Sequence, residues 1–230
     1  MLLYYVTDRT QLGEDESSRR TKLLEKIAEA AQAGIDYIQL REKDLSAREL
    51  ERLAREARAR ISRDSQTRLL INSRIDVALA AGADGVHLRS DDINAAEARA
   101  VFAKSQKPSS ASCMIGVSCH SAEEVALAEA HGAEFAVFGP VFEKSGAAKN
   151  RLDELRRACE RPVAAAKRMP VLALGGISAA NAAECLHAGA GGIAGIRIFQ
   201  QHDIASVTKA LRVLAPSKLN SRRRHPYFEK

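Results

Sequence analysis

LAAGADGVHL, residues 79–88, closes a helix and opens a strand. Gly82 follows a run of small and apolar residues, where a left-handed glycine ends a helix and lets the chain turn. The apolar GVHL then reads as a short buried strand. The same order recurs in AQAGIDYIQL (31–40), EAHGAEFAVF (129–138) and LHAGAGGIAG (186–195): a helix end, a glycine, a small or branched residue, usually an acid, then an apolar run. The glycines, Gly34, Gly82, Gly132 and Gly189, stand 48, 50 and 57 residues apart. Further apolar runs lie between these segments: LLYYV (2–6), RLLI (68–71), CMIGV (113–117) and VLALG (171–175).

Eight short buried strands result, most of them separated by helical patterns such as TKLLEKIAEAA, ARELERLAREARA, SAEEVALAEA, AANAAECLHA and IASVTKALRVL. Strands alternating with helices imply a parallel sheet with right-handed crossovers. Eight such units in a chain of 230 residues match the count of a single (β/α)8 TIM barrel, an α/β fold. A doubly wound open sheet is the alternative, but the near-regular spacing of the repeat favours closure. Residues 106–112 (QKPSSAS) read as a loop and 146–150 (GAAKN) as part of a mobile one. The barrel is expected over 1–215 without an internal boundary, followed by a basic C-terminal tail over 216–230.

The chain is 46% apolar and 28% charged, which suits a folded protein and argues against disorder. No run approaches the roughly 20 apolar residues of a membrane span. The start, MLLYYVTDRT, lacks the basic region and apolar core of a signal peptide, so a cytoplasmic protein is expected. Net charge is +6, but the last fourteen residues hold five basic residues and one acidic, leaving about +2 for the rest. That is too little for a nucleic-acid-binding domain. Neither nucleic acid nor membrane is expected as a partner, and assembly into a homo-oligomer is left open. Arg222, Arg223 and Arg224 suit contact with phosphate or a membrane surface, against the simpler reading of a solvated tail. Cys113, Cys119, Cys159 and Cys185 show no C-x-x-C spacing and read as reduced, mostly buried thiols.

Barrel chemistry collects at the C-terminal ends of strands. After YIQL come Arg41, Glu42 and Lys43; after RLLI, Asn72 and Ser73; after GVHL, Arg89, Ser90, Asp91 and Asp92. After CMIGV come Ser118 and His120, after FAVF comes Gly139, after VLAL come Gly175 and Gly176, and after GIAG comes Arg197. Arg41, Lys43 and Arg197 supply positive charge, and Asn72 and Ser118 supply neutral hydrogen bonds. Gly175, Gly176 and Gly195 permit close backbone approach, and a helix expected to start near Ser178 would offer free N–H groups to phosphate. Asp92 suits Mg²⁺, which takes few carboxylates plus substrate phosphates. A phosphorylated or diphosphorylated small molecule is therefore the expected ligand. Plainer readings stand beside these. Arg41 and Lys43 also fit a loop surface, the glycine pair a tight turn, and Asp91 or Asp92 a cap on the helix at AAEARAVF. His87, inside GVHL, reads as barrel-lining.

At these residues the chain resembles the thiamine phosphate synthase family, which includes the related thiazole tautomerases. The matching stretches are YYVTDR (4–9), YIQLREKDLSARE (37–49), LLINSRIDVALAAGADGVHL (69–88), IGVSCHSAEEVALAEAHGAEFAVFGPVF (115–142) and PVLALGGISAANAAECLHAGAGGIA (170–194). The resemblance implies a transferase that joins hydroxymethylpyrimidine diphosphate to thiazole phosphate, releasing pyrophosphate. It implies that Arg41, Lys43, Asn72, Ser118 and Mg²⁺ hold the leaving diphosphate, with Asp92 a metal ligand and Gln39 beside the pyrimidine. The backbone around Gly176 and strand 8 would hold the thiazole phosphate.

The chain also departs from that pattern. Ser73 stands where the family usually has Asp, and RSDD (89–92) stands where it has GQED. EKSGAAK (143–149) replaces PTxTK, leaving Lys144 or Lys149 to supply the lysine, and Arg197 replaces a serine. Three readings follow: a synthase with a modified metal site, a thiazole tautomerase-like isomerase using His120 as proton shuttle, and a non-catalytic binder of phosphorylated ligands.

Overall fold

A computed structural model describes residues 1–105, 113–142, 151–161 and 168–214. The expected loops at 106–112 and 146–150, Lys144, Lys149 and the tail over 216–230 lie outside the described residues. The chain order is β1 (Leu2–Val6), α1 (Glu16–Gln32), β2 (Tyr37–Leu40), α2 (Ala47–Arg60), β3 (Arg68–Asn72), α3 (Ile75–Ala81), β4 (Gly85–Leu88) and α4 (Ala95–Lys104). It continues through β5 (Met114–Cys119), α5 (Ala122–Ala130), β6 (Phe135–Phe138), α6 (Arg151–Glu160), β7 (Val171–Ala173), α7 (Ala182–His187), β8 (Gly192–Gly195), α8 (Arg197–Gln200) and α9 (Ile204–Leu214). Each strand pairs in parallel with the next, and β8 pairs with β1, so the sheet closes as expected of a TIM barrel. No described helix is long and apolar enough to cross a membrane.

The repeat seen in the sequence has a structural cause. Gly34, Gly82, Gly132 and Gly189 all have positive φ, between 67° and 97°, and turn the chain from helix to strand. The acid that follows in three of the four repeats reaches to the start of the preceding strand. Asp36 accepts from Leu3 N at 2.7 Å, Asp84 from Leu69 N at 2.8 Å and Glu134 from Ile115 N at 2.6 Å. Arg212, Arg68 and Arg99 pair with these carboxylates. The fourth repeat lacks the acid, and Glu129 instead accepts from Met169 N at 2.6 Å, just ahead of β7. The lower rim is thus tied by charge-assisted bonds to strand ends that would otherwise leave N–H groups unpaired.

Packing divides at the sheet. Outside it, apolar helix faces bury residues such as Leu23, Ile27, Leu53 and Leu211 against the strands. Inside, Tyr4, Tyr37, Leu70, Phe135, Val137, Leu172 and Ala194 form a separate cluster. Phe135 stacks on Tyr37 with centroids 4.9 Å apart and meets Tyr4 edge-on at 5.2 Å. Gly116 makes room for them, since a Cβ there would lie 2.4 Å from Phe135 Cζ. This aromatic floor fills the barrel, so polar chemistry is confined to the mouth above it. Cys113, Cys119 and Cys185 are buried and all four thiols are free. Burial pushes the Cys119 and Cys185 thiols up to about 12 and Cys159 to about 11, which keeps them protonated and unreactive at neutral pH.

Two expectations about helix starts are corrected. Asp91 and Asp92 do not cap α4: Asn94 does, in a reciprocal capping box with Glu97. No helix begins near Ser178. The chain turns there, Ser178 N donates to Asn181 Oδ1 at 2.8 Å, and α7 starts only at Ala182. That N–H is therefore already paired within the chain.

Candidate active site

The mouth is built from two halves. At β1 and β2, the buried carboxylate of Glu42 anchors the loop that presents Arg41 and Lys43. Thr7 Oγ1 donates to Glu42 Oε1 at 2.5 Å, and Arg9 donates to Glu42 Oε2 from its backbone at 3.0 Å and its guanidinium at 3.2 Å. Arg41 N donates in turn to Thr7 Oγ1 at 3.0 Å. Burial pushes the Glu42 carboxyl up, while Thr7 and Arg9 pull it back. Because Glu42 points inward, its neighbours turn outward: Arg41 is half-buried and Lys43 exposed. Among the described residues neither side chain has a hydrogen bond or ion pair, whereas Arg9, Arg99 and Arg161 are all paired with carboxylates.

At β3 to β5 neutral polar groups line the mouth beside the ion pairs of Arg89 with Asp91 and Asp92. Asn72 ends β3, and its Nδ2 donates to Ser73 Oγ at 3.2 Å. Ser73 is the one described non-glycine residue with positive φ, at 57°, and its N–H donates to His87 O at 2.8 Å. Pairing sets Asn72 level with His87 and His87 level with Gly116. His87 Nε2 lies 2.8 Å from Ser118 Oγ. Burial, with a lesser contribution from Arg41, pushes the His87 imidazole down to about 3, so it is neutral at working pH. Gln39 is buried beneath, its Nε2 donating to the Tyr4 hydroxyl at 2.9 Å, which leaves its amide oxygen for another donor.

Asp92 is mostly buried, with 18% of its side chain exposed; one oxygen accepts from Arg89 N at 2.8 Å and the other lies 3.5 Å from Arg89 Nε. No group of three or more metal-ligating side chains occurs among the described residues. A protein-only metal cage is therefore absent there. One carboxylate with a loosely engaged oxygen does suit Mg²⁺, which takes its remaining ligands from phosphates and water.

The second half lies over β6 to β8. A cavity of about 520 Å³ is lined by Pro140, Phe142, Gly175, Gly176, Gly195 and Arg197, and an adjoining one of about 320 Å³ extends past Ser178 to His202. Gly175 and Gly176 have φ of 101° and 62°, and a Cβ on Gly175 would lie 2.6 Å from Pro140 Cα. Both glycines are thus required by backbone shape and by close approach of the neighbouring loop. Arg197 is exposed at the start of α8 and has no side-chain partner among the described residues. Gln200, later on α8, bonds to the Tyr5 hydroxyl, Asp8 N and Asp8 O, fixing that helix to the β1 loop. His120 stands apart from these groups: its Nδ1 is 2.6 Å from Gly139 O, so the carbonyl, which only accepts, sets the proton on Nδ1. Gly139 itself is buried, and its oxygen is engaged by that bond.

Sequence reasoning missed Arg9 and Gln200, which hold the loops rather than line the mouth, and the contact between His87 and Ser118. Arg9 lies three residues past the end of β1, as Lys43 does past β2, but nothing in the sequence shows that its guanidinium turns to Glu42 and Asp44.

Fold and site together define a TIM barrel with a cationic mouth at the C-terminal ends of its strands. The chain belongs to the thiamine monophosphate synthase family, whose model matches residues 3–199. A thiamine-phosphate synthase from Methanocella arvoryzae is 37% identical, covering 92% of this chain and 93% of its own. One from Moorella thermoacetica is 34% identical, covering 90% and 93%. The structure of thiamine phosphate pyrophosphorylase from Pyrococcus furiosus superposes with a TM-score of 0.72 at 32% identity, covering 93% of this chain and 94% of that one.

Proposed function

We propose that this transferase joins hydroxymethylpyrimidine diphosphate to thiazole phosphate, giving thiamine phosphate and pyrophosphate. The observation that carries the reading is the set of cations at strand ends, Arg41, Lys43 and Arg197, which no described carboxylate neutralises. Unpaired positive charge at a barrel mouth suits two anionic substrates.

In this reading the bond between the pyrimidine methylene and the diphosphate oxygen breaks, and its electron pair leaves with the diphosphate. Arg41 and Lys43 neutralise the charge that develops there, and Ser118 and Asn72 donate hydrogen bonds to the same oxygens. Gln39 offers its free amide oxygen to the pyrimidine. Arg197 and the backbone beside Gly176 hold the thiazole phosphate, so that the ring nitrogen meets the methylene and forms the new C–N bond. No proton need be removed. A magnesium ion, when bound, supplies further positive charge to the diphosphate, and Asp92 is the carboxylate that would hold it. The apolar walls of the larger cavity, Phe142 and Pro140, exclude water that would otherwise capture the reacting methylene.

One observation favours a second reading, an isomerase acting on the thiazole phosphate precursor. The bond from His120 Nδ1 to Gly139 O leaves Nε2 without a partner among the described residues, placed at the rim to exchange a proton with a ligand. Turnover separates the two. Purified protein with both synthase substrates should release pyrophosphate in step with thiamine phosphate, and Arg41→Ala should abolish it while His120→Ala retains most of it. Absence of product under conditions where a control synthase is active, with His120-dependent isomerisation of the thiazole precursor, would replace the first reading with the second.

A further inference from the structure

The proton between Ser118 and His87 can be placed from the geometry. The two atoms are 2.8 Å apart, and either can donate: the hydroxyl to a bare Nε2, or Nε2–H to Oγ. His87 is 2% exposed and neutral, so it carries a single N–H. Among the described residues its Nδ1 has no hydrogen-bond partner; it lies 2.8 Å from where a Gly116 Cβ would stand, and the ring packs beside Phe135 and Tyr4. If the serine donated, the imidazole proton would sit on Nδ1, a buried donor with nothing to accept it. If Nε2–H donates, only a lone pair is orphaned, and unpaired buried acceptors are tolerated better than unpaired donors.

The ligand side points the same way. Ser118 is half-buried at the C-terminal end of β5, and a diphosphate oxygen can only accept. A serine whose proton is spent on His87 would present lone pairs to that anion. A serine that accepts from Nε2–H keeps its own proton for the ligand.

We propose that His87 is a positioning residue: its Nε2–H donates to Ser118 Oγ and so aims the serine hydroxyl proton at a diphosphate oxygen. This rests on the diphosphate subsite described above. The partners stand 31 residues apart in the sequence and are brought together by the register of β4 and β5, which sets Leu88 level with Val117. 

Two measurements on the full chain test it. In nitrogen-15 spectra of histidine-labelled wild type, His87 should show a protonated Nε2 and a bare Nδ1; protonation on Nδ1 overturns the proposal. In calorimetric titration with pyrophosphate, His87→Phe and Ser118→Ala should each weaken binding about tenfold. The double variant should be no weaker than Ser118→Ala alone. Additive losses would mean that His87 acts by packing, not through the serine. Arg41→Ala is the control for the subsite: full pyrophosphate affinity in that variant would remove the diphosphate reading itself, whatever His87 does.

Discussion

Arg197→Ala separates binding from stability. The guanidinium has no hydrogen bond or ion pair among the described residues and stands exposed at the first position of a four-residue helix. Its removal costs no hydrogen bond or ion pair among the described residues, and a surface change of this kind stays within about 0.5 kcal/mol. In the complex the same side chain would make a two-point contact with the thiazole phosphate. Each charged hydrogen bond is worth about 1.5 kcal/mol at the low end, so losing two removes about 3 kcal/mol, or roughly 150-fold. Solvent at the open rim lowers this, and 30- to 150-fold is the expected range, about 2–3 kcal/mol. The assay is steady-state turnover with the diphosphate substrate saturating and thiazole phosphate varied, beside urea unfolding of the same preparations. A loss of kcat/KM below about threefold, or of stability above about 1 kcal/mol, would refute the assignment of Arg197 to the ligand.

Gly175→Ala combines a positive-φ residue with a Cβ placed 2.6 Å from Pro140 Cα, and should destabilise by about 2–4 kcal/mol in urea; a loss under about 1 kcal/mol would contradict the close packing of these loops. Ser73→Asp adds a carboxylate in a conformation that Asp tolerates, and should lower the half-saturating Mg²⁺ concentration in the turnover assay by about tenfold. An unchanged Mg²⁺ requirement would move the metal away from β3 and β4. His87 is held down to about 3 against an ordinary 6.5, so below pH 6.5 the unfolded chain binds the proton that the folded chain refuses. Stability should therefore fall with pH between those values, by about 2 kcal/mol from pH 7 to pH 5 through this residue. His87→Phe should flatten that part of the profile, and an equal slope in both proteins would count against a buried neutral imidazole.

The strands were legible because each repeat carries its own punctuation. Gly82 before GVHL marks both the end of α3 and the start of β4, and all eight apolar runs became strands within a residue or two at their edges. What escaped depends on partners distant in the chain. Asp36 is plainly acidic in the sequence, but its bond to Leu3 exists only once β1 and β2 lie side by side. His87 could be read as barrel-lining from its place in GVHL, while its bond to Ser118 needs the register of two strands. The cap of α4 is readable in the sequence: Asn94 and Glu97 have the spacing of a capping box, yet Asp91 and Asp92 compete as cap residues by type. Near Ser178 the expected helix start failed because Asn181 supplies an acceptor for the Ser178 N–H and delays the helix to Ala182. Four-residue α8 is too short to show a helical period, so the element that carries Arg197 left no signal.

The mouth should hold a diphosphate and a phosphate in separate places, and a crystal structure with pyrophosphate, thiamine phosphate and Mg²⁺ would show whether it does. Pyrophosphate should lie within hydrogen-bond distance of Arg41, Lys43 and Ser118, and the phosphate of thiamine phosphate against Gly176 and Arg197. Thiamine phosphate bound with its phosphate at Arg41, or both ligands lying outside the strand ends, would contradict it.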